Sequence, residues 1–319
     1  MAKILINDGI HPDGKKMLES AGHEVHTTKI AQDELPAKLP EYDVICVRSA
    51  TKVRADLIDQ CPNLKIIGRG GVGLDNIDVD HAASKDINVI NTPAASSQAV
   101  AELAIGQMFS LARFLYDADR KMPTQGATDF KTLKKNYASG VELRGKTLGI
   151  IGFGRIGQEV ARIGLGLGME VMPVDMAFDE MRIEVDIFRS RNASLSLTLP
   201  TAEMDEMLAE ADFITIHVPF KTGGKALIGA AELAKMKNGV HLINTARGGA
   251  IDENALLAAL ESGRVAGAAL DVFENEPSPR KDLLTHPRIA LTPHIGAATK
   301  EAQRKIGLLL ATQIIDILK

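Results

Sequence analysis

Cysteines and long apolar runs are scarce in this sequence, and each scarcity limits the kind of protein it can be. Only two of the 319 residues are cysteines, too few for a disulfide framework. No apolar run reaches the roughly 18 residues that are needed to cross a bilayer. The start of the chain has neither the basic segment nor the small-residue cleavage site of a secretion signal. We therefore expect a cytoplasmic protein with no membrane partner.

A strong charge of either sign is also missing. The formal net charge of −4 gives no general attraction to nucleic acid, and the lysine-rich stretch at 131–135 is most simply a solvated loop or a helix end. Cys46 lies in an apolar run and Cys61 precedes Pro62, so we interpret both thiols as inert and expect no metal site. A length of 319 residues with 45% hydrophobic content suits a globular protein of two domains.

The segment at 147–157 contains the most informative pattern that is present. An apolar run typical of a buried strand ends in Gly152-Phe153-Gly154-Arg155-Ile156-Gly157, and apolar residues then recur at helical spacing. Gly152 permits the tight turn, Gly154 lets a pyrophosphate approach the backbone, and Gly157 lets the helix pack on the strand. The helix N-terminus, with Arg155 and Ile156, adds partial positive charge. The pattern predicts a dinucleotide site.

A second apolar strand at 170–174 ends in Asp175, which lies 175 − 157 = 18 residues after the last glycine. A carboxylate at this distance can bind a ribose 2′-hydroxyl. No arginine adjoins Asp175 to receive a 2′-phosphate, which favours NAD over NADP. The alternative is an ordinary glycine-rich turn between strand and helix. It does not explain why an acidic residue, Asp175, ends the second strand.

Short apolar runs alternate with helical patterns along most of the chain, which indicates parallel sheets with helices on both faces. The expected strands are 4–6, 44–47, 64–67, 87–90, 213–218, 240–244, 265–272 and 289–292. The expected helices are 13–21, 54–60, 76–83, 99–118, 204–211, 230–236, 253–262 and 300–318. The apolar face of the last helix, which we expect to pack on the first domain, comprises Ile306, Leu309, Leu310, Ile314 and Ile317.

Two segments depart from this alternation. The polar stretch at 120–141, which follows a helix capped by Ser96 or Ser97, is predicted to be an irregular arm that crosses to a partner subunit. The residues at 182–188 and 194–199 alternate polar and apolar on both sides of Arg191-Asn192, which predicts a β-hairpin insertion with one wet face.

Ligands of such sheets bind at the carboxyl ends of the strands, where several candidate residues follow predicted strands. The backbone N–H groups of Gly70, Gly71, Val72 and Gly73 could form a nest for a carboxylate, although a glycine cluster is also simply a flexible turn. Arg247, beside two glycines, can bind a carboxylate through two parallel hydrogen bonds. Glu276 and His294 also follow strands, whereas His217 and His241 look like strand residues. A position at a strand end fits a structural role of His294 as well as it fits a catalytic role.

Three long motifs, VRSATKV at 47–53, GRGGVGLDNID at 68–78 and ELRGKTLGI at 142–150, carry a likeness that extends over essentially the whole chain. The sequence resembles the D-isomer-specific 2-hydroxyacid dehydrogenases, and these motifs are most similar to the phosphoglycerate dehydrogenase branch of that family. The resemblance implies NAD-dependent oxidation of D-3-phosphoglycerate to 3-phosphohydroxypyruvate, the first step of L-serine biosynthesis, by a homodimer.

The resemblance also implies the site. Arg247, Glu276 and His294 would be the catalytic set, with the turn at 70–73 as the nest for the substrate carboxylate. His294 would exchange the proton of the C2 hydroxyl, and a hydrogen bond to Glu276 would favour its imidazolium form. Arg247 would polarise the keto oxygen and hold the carboxylate. Residues that would contact NAD are Gly152, Gly154, Arg155, Ile156, Gly157, Asp175, His217, Val218, Pro219, Thr245, Ala246, Asp271, Gly296 and Ala297.

The expected fold class is α/β, with two Rossmann-like or flavodoxin-like doubly wound domains and an active-site cleft between them. Residues 1–98 with 295–319 would form the substrate domain and 99–294 the NAD domain. Arg48 and Lys52 are the cations that the sequence offers to a 3-phosphate. The chain stops at Lys319 directly after the last predicted helix, so we expect no C-terminal regulatory domain and no serine feedback.

Three other functions stay open at this point. The first is a glyoxylate or hydroxypyruvate reductase, the second another D-2-hydroxyacid dehydrogenase, and the third a non-catalytic NAD-sensing protein like the transcriptional corepressors that share this fold. Dependence on a substrate phosphate distinguishes the first from a phosphoglycerate dehydrogenase. Turnover distinguishes any of the enzymes from the sensor.

Overall fold

The computed structural model describes residues 1–186, 194–220 and 223–319. The chain divides into two compact units, one formed by residues 1–99 with 297–319 and the other by residues 100–296. In chain order the strands are β1 (Lys3–Ile6), β2 (Glu24–His26), β3 (Val44–Val47), β4 (Ile66–Arg69), β5 (Asn88–Asn91), β6 (Thr147–Ile151), β7 (Glu170–Val174), β8 (Glu180–Asp186), β9 (Ser194–Pro200), β10 (Phe213–Ile216), β11 (Val240–Asn244), β12 (Val265–Leu270) and β13 (Ile289–Leu291). The helices are α1 (Pro12–Ser20), α2 (Leu35–Lys38), α3 (Ala55–Ile58), α4 (Val79–Ser84), α5 (Ser97–Ala112), α6 (Leu115–Gln125), α7 (Phe130–Asn136), α8 (Arg155–Gly166), α9 (Met204–Glu210), α10 (Ala230–Lys235), α11 (Glu253–Ser262), α12 (Lys281–Thr285) and α13 (Lys300–Ile317).

The first unit contains a five-stranded parallel sheet in the order β2-β1-β3-β4-β5. Apolar side chains cover both faces of this sheet. Neighbouring residues of a strand point to opposite faces, so they belong to different clusters. Leu5 and Ile45 pack in one buried cluster, whereas Ile4 and Val44 pack in another. A parallel sheet that is buried on both faces in this way is typical of a doubly wound α/β fold.

The second unit repeats this arrangement with a six-stranded parallel sheet in the order β13-β12-β11-β10-β6-β7. Ile214 and Leu242 pack on one face of the sheet, and Phe213 and Ile243 pack on the other. The predicted α/β class with two doubly wound parallel sheets is therefore confirmed. In each sheet the first strand lies between the second and the third, so the strand order reverses beside β1 and beside β6. Ligands of open α/β sheets bind at such points.

The predicted helix at 99–118 is wrong as one continuous element. Phe114 has a left-handed backbone with φ 55° and is the N-cap residue of α6, so it separates α6 from α5. Val100, Met108 and Leu111 are buried as expected, but Leu115 is 53% exposed. The helical spacing of apolar residues continues past residue 114, so it predicts one straight helix. A break that involves a single residue does not change this spacing. Ser96 precedes the first residue of α5, but its buried hydroxyl has no partner among the described residues and does not cap the helix.

The polar stretch at 120–141 is also more regular than we expected, because α6 extends into it and α7 lies within it. The two short helices are joined by local polar contacts, in which Asp117 binds the ammonium of Lys121 at 2.8 Å and the hydroxyl of Tyr137 at 2.9 Å. The stretch at 131–135 belongs to α7 and includes its last turn, which agrees with a helix end.

The predicted hairpin is confirmed over its described residues. β8 and β9 pair antiparallel, with Ile183 opposite Leu197, while the expected turn and Phe188 lie outside the described residues. Ile183 is fully buried and Leu199 packs against the same apolar cluster, whereas Arg182 and Glu184 are exposed. One face of the hairpin is therefore wet, as the period of two predicts.

The last helix packs within the first unit, as we expected. Ile306, Leu310 and Ile314 are buried, whereas Ile317 is 40% exposed and Leu309 is only half-buried. The rest of the buried face comprises Ala302, Gly307 and Ala311. A Cβ on Gly14 would lie 2.5 Å from the carbonyl oxygen of Gly307, so α1 and α13 pack backbone to backbone through small residues.

Both cysteines are buried and free, in agreement with inert thiols. Burial raises the pKa of Cys46 to about 12 and that of Cys61 to about 11, so neither is a thiolate near neutral pH. Of the helices in the described residues, none is long and apolar enough to span a bilayer. No group of three histidine, cysteine or acidic side chains in the same residues could hold a metal ion.

Candidate active site

The glycine turn between β6 and α8 lies where the strand order of the second sheet reverses. Gly152 has φ +95°, and a Cβ there would lie 2.7 Å from Val218 and 2.8 Å from the backbone of His217. A Cβ on Gly157 would lie 2.1 Å from the carbonyl oxygen of Gly152. These two glycines are therefore required by the close approach of protein backbone. Gly154 is different, because no atom beyond its immediate chain neighbours lies within 4 Å of the position of its Cβ.

Gly154 is also the N-cap residue of α8, and it has no side chain that could cap the helix. Arg155 and Ile156 are the first two residues of the helix, so their N–H groups precede the first intrahelical hydrogen bonds. The helix N-terminus therefore presents backbone donors and partial positive charge next to an open space, which suits an anion.

Asp175 follows β7 and reaches back to the glycine turn. One carboxylate oxygen accepts a hydrogen bond from the N–H of Phe153 at 2.7 Å, and the other accepts one from Ala177 at 2.9 Å. Each oxygen keeps a further lone pair for a ligand hydroxyl. The acid is thus held in position beside the turn.

Two buried polar atoms that have no hydrogen-bond partner among the described residues lie directly after β10 and β11. His217 lies one residue beyond β10, so it is not a strand residue, and its Nε2 lies 2.9 Å from the hydroxyl of Thr215. Its buried Nδ1 and the buried hydroxyl of Thr245 have no hydrogen-bond partner among the described residues. Burial lowers the pKa of His217 to about 3, so its ring is neutral. Buried polar atoms are normally hydrogen-bonded, so these two atoms are suited to bind a ligand.

His241 has a purely structural place. It lies within β11, as predicted, and its ring stacks on Phe213 with a centroid distance of 4.8 Å. Burial lowers its pKa to about 4.

The loop after β11 places Arg247 at a strand end. The side chain of Asn244 shapes the loop, since it accepts from the N–H of Ala246 at 3.0 Å and donates to the carbonyl of Arg247 at 2.9 Å. A Cβ on Gly248 would lie 1.8 Å from the carbonyl oxygen of Phe273. Gly248 therefore lets the loop after β12 approach the loop after β11.

The loop at 273–276 places Glu276 against His294. One oxygen of Glu276 accepts a hydrogen bond from the N–H of Phe273 at 3.0 Å, and the other lies 2.7 Å from Nδ1 of His294. Burial alone would raise the pKa of Glu276, but the hydrogen bonds from His294 and Phe273 and the charges of His294 and Arg247 outweigh it and hold that pKa below its usual value. Glu276 is therefore ionised at neutral pH, so Nδ1 of His294 carries the hydrogen. The other ring nitrogen, Nε2, is then available for a proton.

His294 sits on a strained turn that Asp271 holds. The backbone φ of His294 is 54°, an uncommon value for a residue with a side chain. The buried carboxylate of Asp271 accepts from the hydroxyl of Thr292 at 2.7 Å and from the N–H groups of Ile295 and Gly296 at 2.8 and 2.9 Å. These contacts stabilise the turn on both sides of His294. Sequence reasoning assigned Asp271 to the cofactor and missed this role.

The other predicted residues are found where the strands end. Val218 and Pro219 follow β10, Ala246 follows β11, and Gly296 and Ala297 follow β13. The carbonyl of Ala297 accepts a hydrogen bond from the side chain of Gln303 in α13 at 2.7 Å.

In the first unit the expected substrate residues also meet at strand ends. Arg48 follows β3, and a Cβ on Gly70 would lie 3.7 Å from Cγ of Arg48, so the loop at 48–52 and the turn at 70–73 are neighbours. The predicted nest is narrower than expected, because the N–H of Gly70 donates to Val47 and that of Gly71 donates to Arg69. Only Val72 and Gly73 can supply its N–H donors.

The family profile described as D-isomer specific 2-hydroxyacid dehydrogenase, NAD binding domain, matches residues 105–296. The chain belongs to this family. Its cofactor is accordingly NAD, as predicted. The profile covers the glycine turn, Arg247, Glu276 and His294 together.

Individual members of the dehydrogenase family are similar over the whole chain. A hydroxypyruvate reductase of Thermotoga maritima is 44% identical over 316 residues, which are 98% of this chain and 97% of that protein. A D-3-phosphoglycerate dehydrogenase of Methanocaldococcus jannaschii is 42% identical over 319 residues, but the chain spans only 58% of its length. The crystal structure of a glyoxylate reductase from Paecilomyes thermophila has a TM-score of 0.82 at 30% identity and covers 100% of this chain and 95% of that one.

The residues of this dehydrogenase fit a bound NAD. The open space at Gly154 and the helix N-terminus suit the pyrophosphate, and Asp175 suits a ribose hydroxyl. The partnerless atoms of His217 and Thr245 lie beyond the neighbouring strands at the same edge of the sheet. These contacts stay predictions for each residue.

Replacing Gly154 by alanine tests the pyrophosphate position. No protein atom would meet the new methyl group, so we expect an unchanged melting temperature, but the group would occupy the space of the phosphate and raise the Kd for NADH about tenfold. Gly166→Ala at the other end of the same helix, also without a close neighbour, is the matched control and should leave Kd unchanged. Fluorescence titration with NADH measures both. Equal Kd values in the two variants would contradict the assignment.

Proposed function

We propose that the chain catalyses NAD-dependent oxidation of D-3-phosphoglycerate to 3-phosphohydroxypyruvate. The observation that carries the proposal is the pair of cations on the loop at 48–52. Within the described residues neither the guanidinium of Arg48 nor the ammonium of Lys52 forms a hydrogen bond or an ion pair. Both follow β3 beside the point where the first sheet reverses its strand order, which is where a ligand of such a sheet binds.

His294 is proposed as the acid and base of the reaction. Because Glu276 occupies Nδ1 at 2.7 Å, Nε2 of the neutral ring accepts the proton of the C2 hydroxyl during oxidation and returns it during reduction. The negative charge of Glu276 stabilises the imidazolium that forms. Bound NAD supplies the two-electron oxidation. His294 and Glu276 thus form the proton-transfer pair.

Arg247 is proposed to bind the oxygen on C2 and the carboxylate. Its guanidinium is half-buried, and its charge contributes to keeping Glu276 ionised. A planar guanidinium can donate two parallel hydrogen bonds, and its charge favours the developing oxyanion. The N–H groups of Val72 and Gly73 are the second proposed site for the carboxylate.

The phosphate is the group that distinguishes the proposed substrate. It carries about two negative charges and has three strong acceptor oxygens. Arg48 can bind two of these oxygens at once, and Lys52 adds a compact charge. Glyoxylate and hydroxypyruvate have no such group, so these two cations would do little for them.

Arg48→Ala tests the proposal through two substrates that differ only in the phosphate. We expect the KM for 3-phosphohydroxypyruvate to rise about 10- to 100-fold, since charge-assisted hydrogen bonds are lost. The KM for hydroxypyruvate should stay close to the wild-type value. NADH consumption measures both constants, and Arg54→Ala, which removes a guanidinium paired with Asp78 in the same unit, is the control. An equal effect on the two substrates would contradict the assignment.

A hydroxypyruvate reductase is the second candidate. It is favoured by the relative from Thermotoga maritima, which is 44% identical and matches this chain over 97% of its own length. Under this alternative Arg48 and Lys52 are surface cations. Wild-type turnover of hydroxypyruvate at least equal to that of its phosphorylated counterpart would support it.

The proposal includes a homodimer in the cytoplasm. Large apolar side chains of the segment at 115–141 support such an interface, since Leu115 is 53%, Met122 44% and Phe130 58% exposed. Large exposed apolar side chains are a feature of surfaces that contact another chain.

A further inference from the structure

The backbone of the loop at 48–52 is held by side chains from three other segments. We propose that Asp8, Asn76 and Gln32 are positioning residues, which fix the loop so that Arg48 and Lys52 point at a substrate phosphate. The inference rests on the proposed function, because it assumes that these two cations bind a phosphate.

Asp8 binds the N–H side of the loop. It follows β1, and its side chain is only 4% exposed. One oxygen accepts from the N–H of Arg48 at 2.8 Å and from that of Thr51 at 3.0 Å, and the other accepts from the hydroxyl of Thr51 at 2.8 Å. A buried carboxylate with three donors has few other orientations available.

Asn76 binds the carbonyl side of the same residues. Its side-chain amide donates to the carbonyl oxygen of Arg48 at 2.8 Å and to that of Thr51 at 2.6 Å. Arg48 and Thr51 therefore have both of their backbone polar groups bound by side chains. The two amide hydrogens of Asn76 match two carbonyl groups, which aspartate or leucine could not do.

Gln32 completes the arrangement at Lys52. Its side-chain oxygen accepts from the N–H of Lys52 at 2.8 Å, and its amide donates to the carbonyl of Lys52 at 2.8 Å. These bonds are exposed, and water can replace them at little cost in stability. Their main effect is to fix the direction in which the side chain of Lys52 leaves the backbone.

The hydrogen bonds of Asp8, Asn76 and Gln32 differ from ordinary loop packing in the residues whose backbone they fix. Both cations have their backbones fixed, while their charged ends stay unbound within the described residues. Lys29, 3.9 Å from Asp8, partly offsets the negative charge below the loop. A fixed backbone lowers the conformational entropy that the loop itself loses when its two cations bind one ligand. The arrangement is therefore suited to pre-organised binding of an anion.

Kinetics of Asn76→Ala and Gln32→Ala test the inference. We expect Asn76→Ala to raise the KM for 3-phosphohydroxypyruvate about tenfold, while kcat and the KM for hydroxypyruvate change less than about twofold. Gln32→Ala should act in the same direction but more weakly, and its exposed position keeps the fold intact. Asn63→Ala, which removes an amide bonded to the carbonyl of Pro40 in the same unit, is the matched control.

Two further measurements separate positioning from general stability. In an Arg48→Ala background the added Asn76→Ala should have little further effect on KM, because both changes act on one contact. Hydrogen exchange at 48–53 should be faster in Asn76→Ala than in wild type. An unchanged exchange rate, or equal effects on both substrates, would overturn the inference.

The inference and the proposed function fail in different ways. If Arg48→Ala acts only on the phosphorylated substrate while Asn76→Ala and Gln32→Ala do not, the positioning role is wrong and the function stands. If Arg48→Ala affects both substrates equally, the phosphate assignment itself is wrong, and the positioning role is overturned with it.

Discussion

His294→Asn is expected to lower kcat about 10³-fold while leaving the Kd for NADH unchanged. Asparagine keeps a hydrogen bond to Glu276 within reach but cannot exchange a proton near neutral pH. The side chain of His294 is 45% exposed, so the substitution should not disturb the core. Steady-state kinetics and NADH titration of the same preparation measure the two quantities.

His81→Asn is the control for this variant. His81 also pairs with a carboxylate, that of Asp59 at 3.0 Å, but it lies in the other unit on the protein surface. We expect wild-type kinetics from it. If His294→Asn retained more than about a tenth of the wild-type kcat, His294 would not be the acid and base of the reaction.

Arg247→Lys should lower kcat/KM for the 2-oxo acid about 100-fold although it keeps the charge. Lysine presents one compact ammonium and cannot form the two parallel hydrogen bonds of a guanidinium. The geometry around Arg247 is set by Asn244 and by the close approach at Gly248, so the shorter reach of a lysine cannot be corrected by a shift of the loop.

Arg264→Lys provides the comparison in the same unit. The guanidinium of Arg264 bonds to the carbonyl of Met236 at 2.9 Å. Both residues precede a strand and so lie away from the carboxyl ends where Arg247 is found, and this variant should behave as wild type. Equal activity of Arg247→Lys and wild type would show that charge alone suffices at residue 247.

Elements with a regular pattern could be predicted from the sequence. β3, β11 and α11 have the expected bounds, because a buried strand or an amphipathic helix repeats its apolar residues with a fixed period. β2, α2 and α12 have only three to five residues, too few for a period to be visible. The left-handed turn at Phe114 has no sequence signature, since it involves a single residue other than glycine.

The residues of the candidate site also divide into those that a sequence pattern predicts and those that no pattern predicts. Strand ends and the glycine spacing indicated Asp175, Arg247, Glu276 and His294, because doubly wound sheets gather these positions at one edge. Contacts between residues distant in sequence, such as that of Asp271 with the turn at 292–296, have no spacing rule. The hydrogen bonds that Asp8, Asn76 and Gln32 form with the loop at 48–52 also join residues distant in sequence, so no spacing predicts them.

The nest at 70–73 shows how a motif can be only partly informative. The glycine pattern suggested four converging N–H groups, but neighbouring carbonyl groups bind those of Gly70 and Gly71. Which N–H groups point outward depends on the strand ends beside the turn. The sequence contains no direct record of that geometry.

The most direct measurement is the ratio of kcat/KM for 3-phosphohydroxypyruvate to that for hydroxypyruvate, determined with the wild-type chain and NADH. If Arg48 and Lys52 bind a phosphate, the ratio should be about 100 or more, since each charge-assisted contact adds roughly tenfold. A ratio near one, or a preference for hydroxypyruvate, would contradict the phosphoglycerate assignment and favour a hydroxypyruvate reductase.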